Sequence, residues 1–446
     1  MTSPESIRTL FGKVAPKSFF DELCHKLNFQ GRDCIYTTDI VCWLMIQQWV
    51  GEKRTLSASV QSLIEEQPQR LKECKRVRED RISSRTGGYS TARKRLPKQI
   101  ASEVTDHIIQ QLREQMKEGW KGLNRPIFLV DGTTLQLQHK PALKKAFPAG
   151  TNQHGKNHWP VMQMVAFHDV YSGVAMRPHW GPMYGKRAVS EQTLASEALQ
   201  RLPPDAVVLG DTNFGIFAFA HAVQRSGRAM VLRIQGARAR KMLGQEPRAE
   251  MEQRLVWKAS RDDRKKHPAL PVEAQLEGRL LVFQHPHQPK EKLCLFTTLD
   301  LPAEEILAIY GLRWNMELDL RSLKRTIGLH QLSSKSLDMV EKELLMAISA
   351  YNLVRAVMCI AASQSAMEPR QLSFSQTQDV VRAALPGLEQ ATTDEEFQRR
   401  LDRMLRRVTE CTLPRRSARR SYPREVWGQG ARFPRCQGRG QSKRIK

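Results

Sequence analysis

Apolar positions along the chain change period several times. Residues 38–50, TDIVCWLMIQQWV, begin with a Thr-Asp cap signal and continue as a strongly apolar helix. Residues 1 to about 120 read as mainly helical. From residue 125 the period shortens: RPIFLVDGTTLQL (125–137) starts as a buried strand and ends as an alternating one. Residues 160–170 and 174–180 predict two further strands around an Asp-Val-Tyr-Ser-Gly turn. A helical period follows over 189–202, then a short apolar strand, AVVLG (206–210), a helix over 215–225 and a strand, AMVLRI (229–234). That order predicts a mixed α/β layer fold. Four short β candidates, RLVWKA, LPVEAQL, RLLVFQH and KLCLFTTL, fill 236–298 between charged loops and predict a β-rich insertion. Helical periodicity resumes from Pro302 to about Ser363 and again over 373–410.

Charge narrows the function. The 446 residues carry 71 Lys+Arg against 46 Asp+Glu, a formal charge of +25, while 40% hydrophobic content marks a foldable chain. Such an excess points to a polyanion, either nucleic acid or an anionic membrane surface. No stretch approaches the ~18 consecutive apolar residues of a membrane span, and the first twenty residues lack a secretory apolar core. A cytoplasmic, nucleoid-associated protein is expected. The basic residues cluster: 70–98 holds eleven Lys/Arg and three acids, including Arg93, Lys94 and Arg95 after a Gly87-Gly88 turn, and 415–446 holds eleven Lys/Arg and one acid. Both clusters fit salt-sensitive contact with a DNA backbone, the first as well as a solvated face.

Several chemistries are absent as motifs. The eight cysteines form no CxxC pair and read as reduced thiols. There is no HExxH, and His285 with His287 sits in a Pro-rich loop setting. No GxxxxGK[ST] occurs, so ATP-driven chemistry is not indicated.

Carboxylates at strand ends carry the stronger signal. Asp131 ends FLVD and Asp211 follows VVLG. A buried Asp costs several kcal/mol unless it is paired or binds a cation, although either alone fits a turn. A third carboxylate, Glu317, stands in IYGLRWNMELDLRSLKRTIG. On an ideal helix Tyr310, Arg313, Glu317 and Lys324 share one stripe roughly 60° wide. Asp319 would point away, so its removal is expected to leave chemistry intact. Three carboxylates suffice for two Mg²⁺ or Mn²⁺ ions in phosphoryl transfer. Arg313 and Lys324 would then bind phosphate, Tyr310 would donate a hydrogen bond, and Trp314 could stack on an unpaired base or pack in a core.

Asp131, Asp211 and the Tyr310-x2-Arg313-x3-Glu317-x6-Lys324 pattern resemble the cut-and-paste DDE transposases of bacterial insertion sequences, in the subgroup defined by that Tyr-Arg-Glu-Lys spacing. The likeness covers roughly residues 85–340. It implies a ribonuclease-H-like core with a β-rich insertion before the Glu-bearing helix. It also implies a synapsed homodimer on double-stranded terminal inverted repeats. Strand cleavage, a hairpin end and joining of 3′-ends to target DNA would follow. Trp314 matches the family's base-holding Trp; Trp257 is the one Trp in the insertion that could serve as a wedge. Around Asp211 the chain reads Asp-Thr-Asn-Phe-Gly, where some relatives carry a longer charged motif.

The implied organisation is a helical DNA-binding domain (1–120) and a core in two parts (121–235 and 299–365) flanking the insertion (236–298). A C-terminal helical region (366–414) and a basic tail (415–446) follow. The alternatives are a nuclease on the same core without strand transfer, a DNA-binding protein derived from a transposase, or an RNA-associated protein.

Overall fold

Eight strands make one mixed sheet: β1 (Ile127–Gln136), β2 (Val161–Asp169), β3 (His179–Pro182), β4 (Val207–Gly210), β5 (Ala229–Ile234), β6 (Met251–Lys258), β7 (Gln275–Gln284) and β8 (Lys292–Thr297). Their spatial order is β3-β2-β1-β4-β5-β8-β7-β6. The first three strands form an antiparallel meander. β4 and β5 then add parallel to β1. Five strands so ordered and directed form the expected ribonuclease-H-like core. The computed structural model describes residues 15–31, 34–66, 71, 74–115, 125–152, 155–285 and 291–413. The chain divides into two units, Met1–Thr412 and Leu413–Lys446. The expected basic tail lies outside the described residues, as do His287 and part of the 70–98 cluster.

Alternation along the strands assigns the two faces. Ile127, Leu129, Val207, Leu209 and Val231 face a core closed by Ile306, Tyr310 and Met316. Phe128, Val130, Val208 and Met230 face the opposite core, which includes Leu194, Phe217 and Ala239 from three other helices.

The segment expected as an insertion is not a layer of its own. β8 pairs antiparallel with β5, and β7 and β6 follow, so the β block widens the core sheet. Trp257 on β6 is only 5% exposed and meets Phe217 and Phe296 edge-on, at 5.6 and 5.1 Å between centroids. It is a core residue here, not a free wedge.

The N-terminal helices also share a core with the C-terminal ones. Thr38–Val50, Lys98–Gln115 and Asp394–Glu410 pack on the 28-residue helix Leu337–Gln364. That helix is long and apolar enough to cross a membrane, but 94% of its most apolar window is buried inside the protein. A helix apolar on all sides is what a buried central element requires. Its polar residues are engaged. Asn352 exchanges two hydrogen bonds with the Ala175 backbone (2.8 and 2.9 Å), and the Tyr351 hydroxyl donates to Gly173 O at 3.0 Å.

Candidate active site

Asp131 and Asp211 stand side by side. The last registered pair of the parallel strands β1 and β4 is Val130 with Gly210, so the two aspartates occupy the next positions on neighbouring strands. Adjacent strands run about 4.8 Å apart. Both side chains follow the alternation of Leu129 and Leu209 and so face the Tyr310 side of the sheet. This is the carboxyl end of the parallel β1–β4 pairing, the side on which open α/β sheets place their ligands, although β1 itself continues to Gln136 paired with β2.

The local electrostatics suit a cation. Burial raises the Asp131 carboxyl to about 6; the Gly132 N–H, 2.7 Å from Asp131 Oδ1, opposes this, and the Asp211 and Glu191 charges add to it. Arg313 pulls the other way. A half-buried pair of hard-oxygen carboxylates with so little positive compensation fits a divalent metal. Among the described residues, however, no group of three or more His, Cys, Asp or Glu is gathered closely enough to hold one. Glu317 is exposed on the helix Asn315–Arg321, which packs against β1.

The expected straight stripe is broken into pieces. The helix Ala303–Gly311 passes into a 3₁₀ turn, Leu312–Trp314, then the α-helix Asn315–Arg321 and a π-turn, Ser322–Thr326. Such π-turns often occur at functional sites. Two of the four motif residues, Tyr310 and Arg313, nonetheless address the aspartates, and Lys324 reaches the same face of β1. Tyr310 is buried; burial first, then the nearby Asp211, raises its hydroxyl, while Arg313 lowers it. The Arg313 guanidinium lies 6.0 Å from the Tyr310 ring centroid and 5.6 Å from that of Trp314. Lys324 Nζ donates to Thr133 Oγ1 at 3.1 Å, on the same face of β1 as Asp131. Trp314 is 53% exposed, free to meet a ligand.

Asp319 corrects an expectation. It is wholly buried and paired with Arg355 and Arg370, so it is an anchor for the Glu317 helix and no neutral control. A helical wheel cannot show what packs on the face away from the stripe.

Two nearby residues escaped the sequence analysis. Glu191 opens the helix Glu191–Ala198 and bonds Asn213. As an acid in a first helical turn it carried no distinguishing signal. Arg233 follows Leu232, the partner of Gly210, and so stands beside Asp211. An Arg inside the apolar run AMVLRI was a visible but unused sign.

Arg93 and Lys94 lie apart from the carboxylates. They line a cleft of about 830 Å³ with Arg54, Lys335, Ser334 and Trp49. Lys342 Nζ donates to both of their carbonyls at 3.3 Å. Arg95 is exposed on the same helix, Gly87–Arg95. Arg54 NH1 donates to Gly328 O at 3.2 Å, joining the cleft wall to the segment just past Lys324.

Known proteins bear on this geometry. The chain is 28% identical over 338 residues, 72% of each chain, to the transposase InsG of insertion sequence element IS4 from Escherichia coli strain K12. Among solved structures, a piggyBac transposase synaptic complex with hairpin DNA matches with a TM-score of 0.43 and 10% identity, covering 96% of this chain and 87% of that one. The family model described as "Transposase DDE domain" matches residues 122–353, more than half of the sequence, with Asp131, Asp211 and Glu317 inside it. The chain therefore belongs to the DDE transposase family, whose members depend on a divalent metal.

Proposed function

We propose that this DNA transposase performs cut-and-paste transposition of an insertion sequence, with Asp131, Asp211 and Glu317 as its catalytic carboxylates. The observation that carries the reading is the side-by-side placement of Asp131 and Asp211, with Arg313 acting on Asp131 and Lys324 bonded to Thr133 on the same face of β1. Two Mg²⁺ or Mn²⁺ ions, when held by these carboxylates, supply activation of the attacking oxygen and stabilisation of the leaving one. Glu317 joins the aspartates once DNA is engaged. Arg313 presents its guanidinium fork to a phosphate that does not react, and Lys324 neutralises a second. Tyr310, buried beside Arg313, orients the guanidinium. Trp314 offers its exposed ring to an unstacked base at a hairpin end.

Arg93, Lys94 and Arg95 contact the backbone of the terminal repeats. A homodimer on two such ends, acting in the bacterial cytoplasm without ATP, completes the proposal. The test is product chemistry. Purified protein, a duplex carrying the repeat that flanks its gene, and Mg²⁺ should give a free 3′-hydroxyl, a hairpin end and strands joined to target DNA. Simple cleavage without hairpin or joined product would favour a nuclease on the same core.

A further inference from the structure

We propose that Glu191 is a positioning residue for both catalytic aspartates, resting on the assignment of Asp131 and Asp211 above. It reaches them from the opposite face of the sheet. By alternation Asp131 points to the Tyr310 side, while Gly132 points to the side covered by the helix Glu191–Ala198. The Glu191 carboxylate fills the space that a Cβ at Gly132 would occupy; any side chain there would collide with it. Gly132 N in turn donates to Asp131 Oδ1 at 2.7 Å.

The other carboxylate oxygen holds the second aspartate's turn. Glu191 Oε2 accepts from Asn213 Nδ2 at 2.5 Å. Gln192 Nε2 donates to both Asn213 O and Asn213 Oδ1 at 2.8 Å. Asn213 N donates to Asp211 Oδ1 at 2.9 Å. The dipeptide Glu191-Gln192 thus grips the Asp211–Asn213 turn from below and presses on β1 at Gly132. Its own place is fixed, because Ser190 caps the helix by accepting from Thr193 N at 3.1 Å. One side chain therefore links β1 to the turn after β4 just beyond Val130 and Gly210, the last registered pair between these two strands. The acceptor oxygens, not the net charge, perform this role.

The experiment compares Glu191→Ala, Glu191→Gln, Asn213→Ala and the double variant Glu191→Ala/Asn213→Ala. Each is assayed for cleavage of the terminal-repeat duplex, for affinity to that duplex, for melting temperature and for Mn²⁺ binding by electron paramagnetic resonance. Glu191→Ala should lose on the order of 10²-fold in cleavage rate, as a displacement near 1 Å does. DNA affinity and melting temperature should hold, and Mn²⁺ binding should weaken. Asn213→Ala should behave alike, the double variant no worse than either, and Glu191→Gln should retain most activity. If Glu191→Ala does not fold, Asn213→Ala carries the test. Wild-type cleavage by Glu191→Ala, additive losses, or a Gln variant as inactive as Ala would each overturn the clamp. Wild-type protein that cannot cleave the duplex at all would instead refute the transposition assignment.

Discussion

The Asp319 carboxylate accepts a hydrogen bond from the Arg355 guanidinium at 2.5 Å, with both side chains out of solvent. Arg370 bonds the same oxygen and donates to the carbonyls of Asp169 and Val170, each at 2.8 Å. The anchor sits two residues past Glu317. It ties that helix to the end of β2 and to the long helix Leu337–Gln364. Asp319→Ala would remove the carboxylate that neutralises buried Arg355 and partly buried Arg370, and breaking such a pair costs about 3–5 kcal/mol. Chemical denaturation should show that loss, and cleavage should fall because Glu317 is no longer held. A variant of wild-type stability would disprove the anchor.

Asp131 gives a pH signature in metal-free protein. Its carboxyl stands at about 6 in the fold, against a reference of 3.8, chiefly through burial. Between those values the folded state holds a proton that the unfolded chain has released. Stability is therefore gained as pH falls through 6 and lost as it rises. Buried His168 acts oppositely: burial holds it down at about 4, so its contribution is lost as pH drops from the usual histidine range towards 4. Comparing wild type with Asp131→Asn cancels His168. In chelator, the Asn variant should melt higher at about pH 7.5, with the gap narrowing towards about pH 5. A pH-independent gap would contradict the shifted carboxyl.

The two tryptophans should separate cleanly. Trp257→Ala empties a site walled by Phe217 and Phe296 and should cost about 3–5 kcal/mol. Trp314→Ala removes an exposed ring and should change stability by less than about 0.5 kcal/mol. It should instead slow the hairpin step while leaving the first nick intact. Thermal melts together with denaturing gels of the products distinguish these outcomes.

Charge in the cleft lined by Arg54, Arg93, Lys94 and Lys335 should be read as salt dependence. Lys94→Gln with Lys335→Gln removes two cations from its lining. The slope of log K against log salt for duplex binding should fall by about 2. Melting temperature should not move. An unchanged slope would place the DNA elsewhere.

These outcomes also show where periodicity carried information. Asp131 and Asp211 were legible because each follows an apolar strand run and the two runs are parallel neighbours, although β1 continues past Asp131 to Gln136. Tyr310, Arg313 and Lys324 were legible as a set, although a 3₁₀ turn and a π-turn replace the ideal helix that grouped them. Glu191, Asp319 and Trp257 were not legible. Each depends on what another element places against it: Gly132 and Asn213, Arg355 and Arg370, Phe217 and Phe296 respectively. Such long-range partners leave no local pattern. The β character of 236–298 was legible, but that its strands extend the core sheet was not, since alternation marks a strand and not the sheet it joins.

The most direct measurement concerns Glu317, which the fold leaves exposed on the helix Asn315–Arg321 that packs against β1. Glu317→Gln keeps size while replacing the acceptor-only carboxylate by a neutral amide. Cleavage of the terminal-repeat duplex in Mg²⁺ should fall below detection, with duplex affinity and melting temperature at wild-type values. Cleavage at the wild-type rate by that variant would contradict the assignment of the catalytic carboxylates.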